Sequence, residues 1–294
     1  MQTRRSKRSR RPVSGPGLGH SVGLGVVFSL AVVALASAQE AKTYGLPLRG
    51  AEAEEFLRNA EVIGREEIPE GITHPQRLTL RLGDRTLRAT WKTIQERQRG
   101  MWRREDGGYE FDFRDSWKHE VAAYELDKLL GLGMWPPTVV RRIDRRQGAL
   151  QLWVEGAMSE HERQDQKVKP KSPLGRIRLF NQIHCARLFR QLIYDTDFQN
   201  VENTLVDPDF NVYLIDASRG FRIQHELLAP DDLECFSRAA LERLKKLDRA
   251  AIEEKMGDLL EDMQVEGLLA RRDVILSLVE ERLEKNGPGK TLFQ

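Results

Sequence analysis

The sequence predicts an α+β chain, with a small antiparallel-sheet half first and a mainly helical half after it. Three observations carry this. Apolar residues alternate with polar ones in short runs between 78 and 154, as strands require. From 176 onward apolar residues recur at helical spacing. One hairpin interrupts that second half: Thr204-Leu-Val206, then the turn Asp207-Pro-Asp-Phe-Asn211, then Val212-Tyr-Leu-Ile215. At 294 residues the chain holds one large domain or two small ones.

The first 38 residues read as an export signal. Arg4, Arg5, Lys7, Arg8, Arg10 and Arg11 precede the apolar run 22–36, and Ala36-Ser37-Ala38 is a small-x-small cleavage site. The alternatives are an uncleaved membrane anchor over 22–38 and a disordered tail. The body is therefore expected outside the cytoplasm, in a periplasmic or secretory compartment, with membrane contact only if the segment is uncleaved. The formal net charge of +2 is misleading. Without these six basic residues, 41 basic residues face 45 acidic ones, a balance of −4, so no global charge argues for nucleic acid.

Beyond this segment a short helical pattern runs over 51–62, followed by turn-rich sequence to Pro75. Leu78, Leu80 and Leu82 mark one strand, Gly83-Asp84 a turn, and 86–94 a second strand that contains Lys92. Residues 95–116 are polar with interspersed aromatics and read as a long loop or flap. A helix capped by Ser116 follows, with Val121, Tyr124, Leu126, Leu129 and Leu130 as its stripe. Gly131, Gly133 and Pro136-Pro137 end it. Two strands, 138–143 and 149–154, come next. Residues 157–174 are lysine-, glutamine- and proline-containing and read as a linker or mobile loop. Ile177, Phe180, Ile183, Leu188, Phe189 and Leu192 then lie on a long helix into the hairpin, and 231–247 and 249–285 are helical.

The hairpin is the chemically informative element. It brings Asp197 and Asn203 at its entrance toward Asp216 at its exit, 19 positions from Asp197. Phosphoryl transfer needs such a cluster: a carboxylate to orient the attacking hydroxyl, and a carboxylate with an amide to hold a metal on ATP. It also needs a strand lysine for the phosphates and a helix glutamate to hold that lysine extended. Lys92 and Glu120 occupy those places in the right order. Alone, each has a plainer reading: a solvated strand lysine, a helix-dipole glutamate, and turn or capping aspartates. Glu155-Gly156, ending the strand at 154, reads as a hinge whose backbone could hydrogen-bond an adenine, or as a simple turn.

Other chemistries fit less well. Gly-x-Ser-x-Gly, His-Glu-x-x-His and Cys-x-x-Cys are absent. His20, His74, His119, His161, His184 and His225 are scattered without metal-ligand spacing. Cys185 and Cys235 lack nearby zinc partners. They could pair in an exported protein, or Cys185 could be a buried thiol in an apolar helix.

Trp117-Lys-His-Glu-Val-Ala-Ala-Tyr through Pro136-Pro-Thr-Val resembles a helix-and-following segment of the secretory-pathway kinases, the Golgi casein-kinase family. Leu214-Ile-Asp-Ala-Ser-Arg-Gly-Phe221 is similar to that family's metal-binding motif and to a variant in bacterial relatives. HipA-type and phosphoinositide kinases are more distant. The resemblance spans about 60–225, strongest at 117–139 and 190–221. It implies a two-lobed protein-kinase-like fold: an N-lobe over 39–156, a linker over 157–175 and a C-lobe over 176–294. It also implies ATP and Mg²⁺ or Mn²⁺ as cofactors and a hydroxyl-bearing acceptor, whether protein, sugar or lipid. Lys92 becomes the phosphate-contacting lysine, Glu120 its partner, Asp197 the catalytic aspartate, Asp216 the main metal ligand and Asn203 a further one.

There are departures from the family pattern. Phe198 stands where relatives carry Arg or His, and Asn203 is one position late, so Asn200, counted from Asp195, could take its role. No Gly-rich loop is present; residues 71–75 are the nearest substitute, with Thr73 as its phosphate contact. A kinase-shaped scaffold without catalysis, and a kinase fold that transfers AMP, are the rival readings.

Overall fold

The computed structural model describes residues 44–69, 75–103 and 107–294. The described chain belongs to one compact unit, Lys42–Gln294. The expected export signal, 1–38, lies outside the described residues.

Helix α1 (Gly50–Asn59) precedes strand β1 (Glu61–Glu67). Strands β2 (Gln76–Leu82) and β3 (Arg85–Lys92) form a hairpin, and β4 (Gln95–Arg103) with β5 (Tyr109–Ser116) form another. Helix α2 (Trp117–Leu130) leads to β6 (Thr138–Ile143) and β7 (Arg146–Leu152). The main sheet is antiparallel, in the order β1-β2-β3-β7-β6. Its core is Leu57 of α1 with Leu78, Leu80, Ala89, Trp91, Val139, Leu150 and Leu152. Alternation along β3 puts Ala89 and Trp91 on this core face, so Lys92 projects from the other.

The remainder comprises β8 (Met158–Ser159), α3 (Glu160–Asp165), α4 (Pro173–Leu192), the hairpin β9 (Thr204–Val206) and β10 (Val212–Leu214), β11 (Phe236–Ser237), α5 (Arg238–Lys246), α6 (Arg249–Met256), α7 (Asp262–Asn286), α8 (Pro288–Thr291) and β12 (Leu292–Phe293). A second, larger core joins these helices, with Leu188, Phe189, Leu192, Phe221, Leu268 and Ile275 at its centre. Helix α2 contributes Ala122, Ala123, Leu126 and Leu130 to this core while also packing on β6 and β7. It is thus the beam between sheet and helices. Ser116 caps it by accepting the Lys118 N–H at 3.2 Å, and Gly131 ends it at φ +61°.

The α+β order expected from the sequence is present: an N-terminal antiparallel sheet and a helical C-terminal part. Some local readings change. The stretch 231–247, expected as helical, is α-helix only from Arg238, after the short strand β11. Residues 95–116 are not a loop but the hairpin β4 and β5. Its first strand presents charged residues to solvent, and a register shift between Gln98 and Met101, with Asp112 at φ +53°, breaks the alternation that marks a strand. The stretch read as a linker holds β8 and α3, where Ser159 and Glu162 form a reciprocal capping box. The helical pattern at 51–62 stops at Ala60, and Glu61 and Val62 begin β1.

Gly148 on β7 packs beneath the end of β3. A Cβ there would lie 2.3 Å from the Lys92 carbonyl oxygen and 2.9 Å from the Trp91 ring. Gly148→Ala should therefore displace Lys92 and cost about 1–3 kcal/mol, as overpacking does. Urea unfolding measures this, and an unchanged midpoint would contradict the close packing.

Candidate active site

Lys92 lies between two carboxylates. Its Nζ donates to Glu120 Oε1 at 2.7 Å and to Asp216 Oδ1 at 2.9 Å. The strand β3 delivers the lysine, α2 the glutamate, and the residues just after β10 the aspartate. The Lys92 side chain is 11% exposed and that of Glu120 1%, whereas Asp216 is 44% exposed and faces outward. Burial alone would lower the Lys92 pKa, but the charges of Asp216 and Glu120 outweigh it and raise it. Burial raises Glu120, and the Asp216 charge adds to this against the pull of Lys92. Asp216 ends below the ordinary carboxylate range: burial works upward, but Lys92 and the Ser218 hydroxyl at 3.2 Å win. One ammonium thus serves two carboxylates and leaves an excess of negative charge.

The hairpin brings Asp197 and Asn203 together. Asn203 Nδ2 donates to Asp197 Oδ2 at 2.9 Å, and Asn200 Nδ2 donates to the same oxygen at 3.1 Å. Both amides of the sequence reading thus reach Asp197. The Asn203 carbonyl accepts the Ile215 N–H at 3.1 Å, which sets Asn203 beside the residue preceding Asp216. Asp195 points away from the site. It is buried on Arg190, 2.5 Å from Nη1, and accepts the Asp197 N–H at 3.0 Å. Its role is to shape the loop.

The segment 216–221 is held from two sides. Ser116 N–H and His119 Nδ1 both reach the Ser218 carbonyl, at 2.9 and 2.7 Å. Gln264 Nε2 donates to the Phe221 carbonyl at 2.7 Å and lies 3.0 Å from His119 Nε2. These contacts fit a neutral imidazole with its proton on Nδ1. Further along α7, fully buried Arg271 donates to the carbonyls of Leu192, Arg222 and Gln224. With no carboxylate in ion-pair contact among the described residues, its pKa is pushed down to about 9, chiefly by burial, against the charges of Tyr194 and Glu226. A Cβ on Gly267, between them on α7, would lie 2.8 Å from the Arg222 carbonyl oxygen. Tyr194, Asp216 and Phe221 all hold positive φ, at +50°, +63° and +55°. Such backbone persists only where the surroundings fix it.

Other expected residues fare differently. Thr73 lies outside the described residues. The Glu155 backbone does not present itself to a ligand: its N–H donates to Gly45 O at 2.9 Å and its carbonyl accepts the Gly45 N–H at 2.6 Å. Its carboxylate is taken by Arg88. The adenine contact expected there is corrected accordingly, because Gly45 already pairs with that edge through an isolated antiparallel bridge. Cys185 and Cys235 are free thiols, and burial raises Cys185 to about 11. Arg219 was missed. It pairs with Asp115 at 3.2 Å, and the charges of Asp197 and Asp216 also act on it. Its signal was its place in the Asp-Ala-Ser-Arg-Gly-Phe motif.

The donors suit a hard cation shared with phosphates. Asp216 is accessible, Glu120 Oε2 is buried with no hydrogen-bond partner among the described residues, and Asn203, with its nitrogen on Asp197, leaves its amide oxygen as the donor. Among the described residues, no three His, Cys, Asp or Glu side chains form an all-protein metal cage. One or two carboxylates completed by substrate phosphates is the usual arrangement for Mg²⁺.

No protein family model matches the chain. No curated protein matches its sequence. Among solved structures it is similar to hydra Fam20, in a structure with sugar, at a TM-score of 0.58 and 15% identity, over 81% of this chain and 90% of that one. The fold is the Fam20 kinase-like fold. The N-terminal antiparallel sheet and the helical C-terminal part match that fold.

Burial lowers His119 from its ordinary 6.5 to about 3, against the opposing hydrogen bond to Ser218. The unfolded imidazole takes a proton as pH falls through 6.5, and the folded one does not until about 3. Stability should therefore rise with pH across that window, by up to about 1.4 kcal/mol per unit from this group. In His119→Gln this component should vanish, giving a flatter dependence in urea melts at successive pH values. An unaltered slope would contradict a buried neutral imidazole.

Proposed function

We propose that this chain is an exported ATP-dependent phosphotransferase that moves the γ-phosphate to a hydroxyl. One observation carries the reading: Lys92 is held by Glu120 and Asp216, from a strand, a helix and a post-hairpin loop, within a kinase-like fold. The proposed N-lobe over 39–156 and C-lobe over 176–294 would hold the nucleotide between them.

Lys92 neutralises phosphate charge, and Glu120 keeps it extended. Asp216, with Asn203 and Glu120, would hold Mg²⁺ or Mn²⁺, which supplies charge neutralisation on the phosphates when bound. Asp197 is oriented by Asn200 and Asn203 through Oδ2, so its other oxygen can accept the proton of an incoming hydroxyl. Such general-base assistance is typically worth about 10²–10⁴-fold. Arg219 adds positive charge near both aspartates. Among acceptors, a sugar hydroxyl is favoured because the similar hydra protein was determined with sugar.

A second reading, a nucleotide-binding protein of weak or no catalysis, is favoured by Phe198 and by an Asn203 amide that is bonded to Asp197. Transfer of AMP by the same fold is separated by α- against γ-labelled ATP.

Asp216→Ala should abolish metal-dependent ATP binding and turnover, whereas Asp209→Ala in the turn should leave both intact. Asp197→Ala should keep nucleotide binding and lose turnover by about 10²-fold or more. Calorimetric binding and γ-phosphate release measure these. Equal metal-dependent binding in wild type and Asp216→Ala would sink the assignment; binding without turnover in wild type would favour the second reading.

A further inference from the structure

The first two turns of α4 expose a stripe of large apolar side chains. Leu174 is 79% exposed, Ile177 56% and Phe180 52%. They recur every three residues, so they share one side of the helix, while Leu179 on the opposite side is buried in the helical core. Such a stripe on a surface helix normally faces the core. Here it faces outward.

Cations frame it. On the helix, Arg176 and Arg178 fall on either flank of the stripe, about 40° around the axis from Phe180 and Leu174 respectively, and both are exposed. Lys167, Lys169 and Lys171, also exposed, enter the helix from its N-terminal side. The 29 residues 166–194 contain no aspartate or glutamate, although the body as a whole carries more acid than base. Elsewhere on the surface arginines pair with acids, as Arg58 does with Glu54 and Arg77 with Glu66. Among the described residues, none of these five cations makes an ion pair. Arg176 and Arg178 donate only to main-chain carbonyls, of Pro170 and Lys171 and of Asp209.

We infer that the N-terminal end of α4 is a membrane-surface contact that seats on anionic lipid. Basic residues flanking an outward apolar stripe are the pattern of helices that lie in the headgroup boundary. The apolar side chains enter the acyl edge, and the lysines and arginines meet phosphate and carboxylate headgroups. The exposed apolar side chains are bordered by cations on both flanks and by no acid, which suits an anionic headgroup surface. This contact belongs to the folded body and acts whether or not residues 1–38 are retained. Its apolar stripe also lies about 18–27 Å along α4 from the end that leads into the catalytic loop, given about 1.5 Å per residue, so it is separate from the proposed active site.

The compact unit 42–294 holds both hydrophobic cores, so it can be tested without the basic, apolar N-terminus. Co-sedimentation would use phosphatidylcholine vesicles with and without about one-third phosphatidylserine. Binding is expected only with phosphatidylserine, falling about tenfold or more when salt rises from about 0.05 to 0.5 M. The variants Leu174→Ser/Ile177→Ser/Phe180→Ser and Lys167→Glu/Lys169→Glu/Lys171→Glu should each lose most of it. All six positions are exposed or part of the basic segment, and circular dichroism checks that each variant is folded. No binding to anionic vesicles, or equal binding by wild type and both variants, overturns the proposal. So does capture of wild type by polyglutamate at the same salt with no affinity for vesicles, which would point to an acidic protein partner.

Discussion

The shared ammonium of Lys92 is the interaction on which the rest of this structure turns. A buried lysine needs a compensating charge, and a buried glutamate needs one as well. Glu120, 1% exposed, can be tolerated in α2 because β3 brings Lys92 to 2.7 Å. Removing one member of such a pair typically costs about 3–5 kcal/mol, because the other charge stays buried. The pair therefore ties the sheet to α2. Asp216 then ties both to the hairpin and the helical core. Three elements distant in sequence meet at one nitrogen, and the surplus carboxylate is turned outward.

That arrangement requires the segment carrying Asp216 to stay fixed in a backbone conformation that non-glycine residues seldom adopt. Each such residue costs about 1–3 kcal/mol. The cost is offset by hydrogen bonds to carbonyls rather than by apolar packing alone. His119 and Ser116 hold Ser218, Gln264 holds Phe221, and Arg271 ties Leu192 to Arg222 and Gln224. Gln264, Gly267 and Arg271 recur at three and four residues on α7, so one helix face serves the whole loop. The absence of a side chain at Gly267 lets that face approach. His119 adjoins Glu120 in sequence, so α2 both charges the site and braces it.

Much of this was legible in advance, for identifiable reasons. Lys92, Glu120, Asp197 and Asp216 stood out because strand, helix, loop and hairpin followed in the order that phosphoryl transfer demands. The half-buried strands of the main sheet declared themselves by alternation, and α2 by its cap and its glycine stop. The β4 and β5 hairpin was hidden because its first strand is largely solvated, its second buries charged residues such as Asp112, Arg114 and Asp115, and a bulge breaks their period. The short helix α3 was hidden because its capping box is followed by polar residues, with no apolar stripe to frame it. The roles of Gln264 and Arg271 left no trace, since a single glutamine or arginine in a long helix has many possible duties.

By itself, the sequence determined the order of elements, the hairpin that returns Asp216 to Asn203, and the lack of acids from 166 to 194. These are local or compositional properties, set by side-chain period, turn chemistry and charge. Only the tertiary structure decided which polar groups were already engaged. It joined Glu155 to Gly45 and turned both Asn200 and Asn203 onto Asp197. It also left Leu174, Ile177 and Phe180 facing outward. Hydrogen-bond satisfaction and exposure depend on what the rest of the chain places nearby, and no window of sequence contains that information.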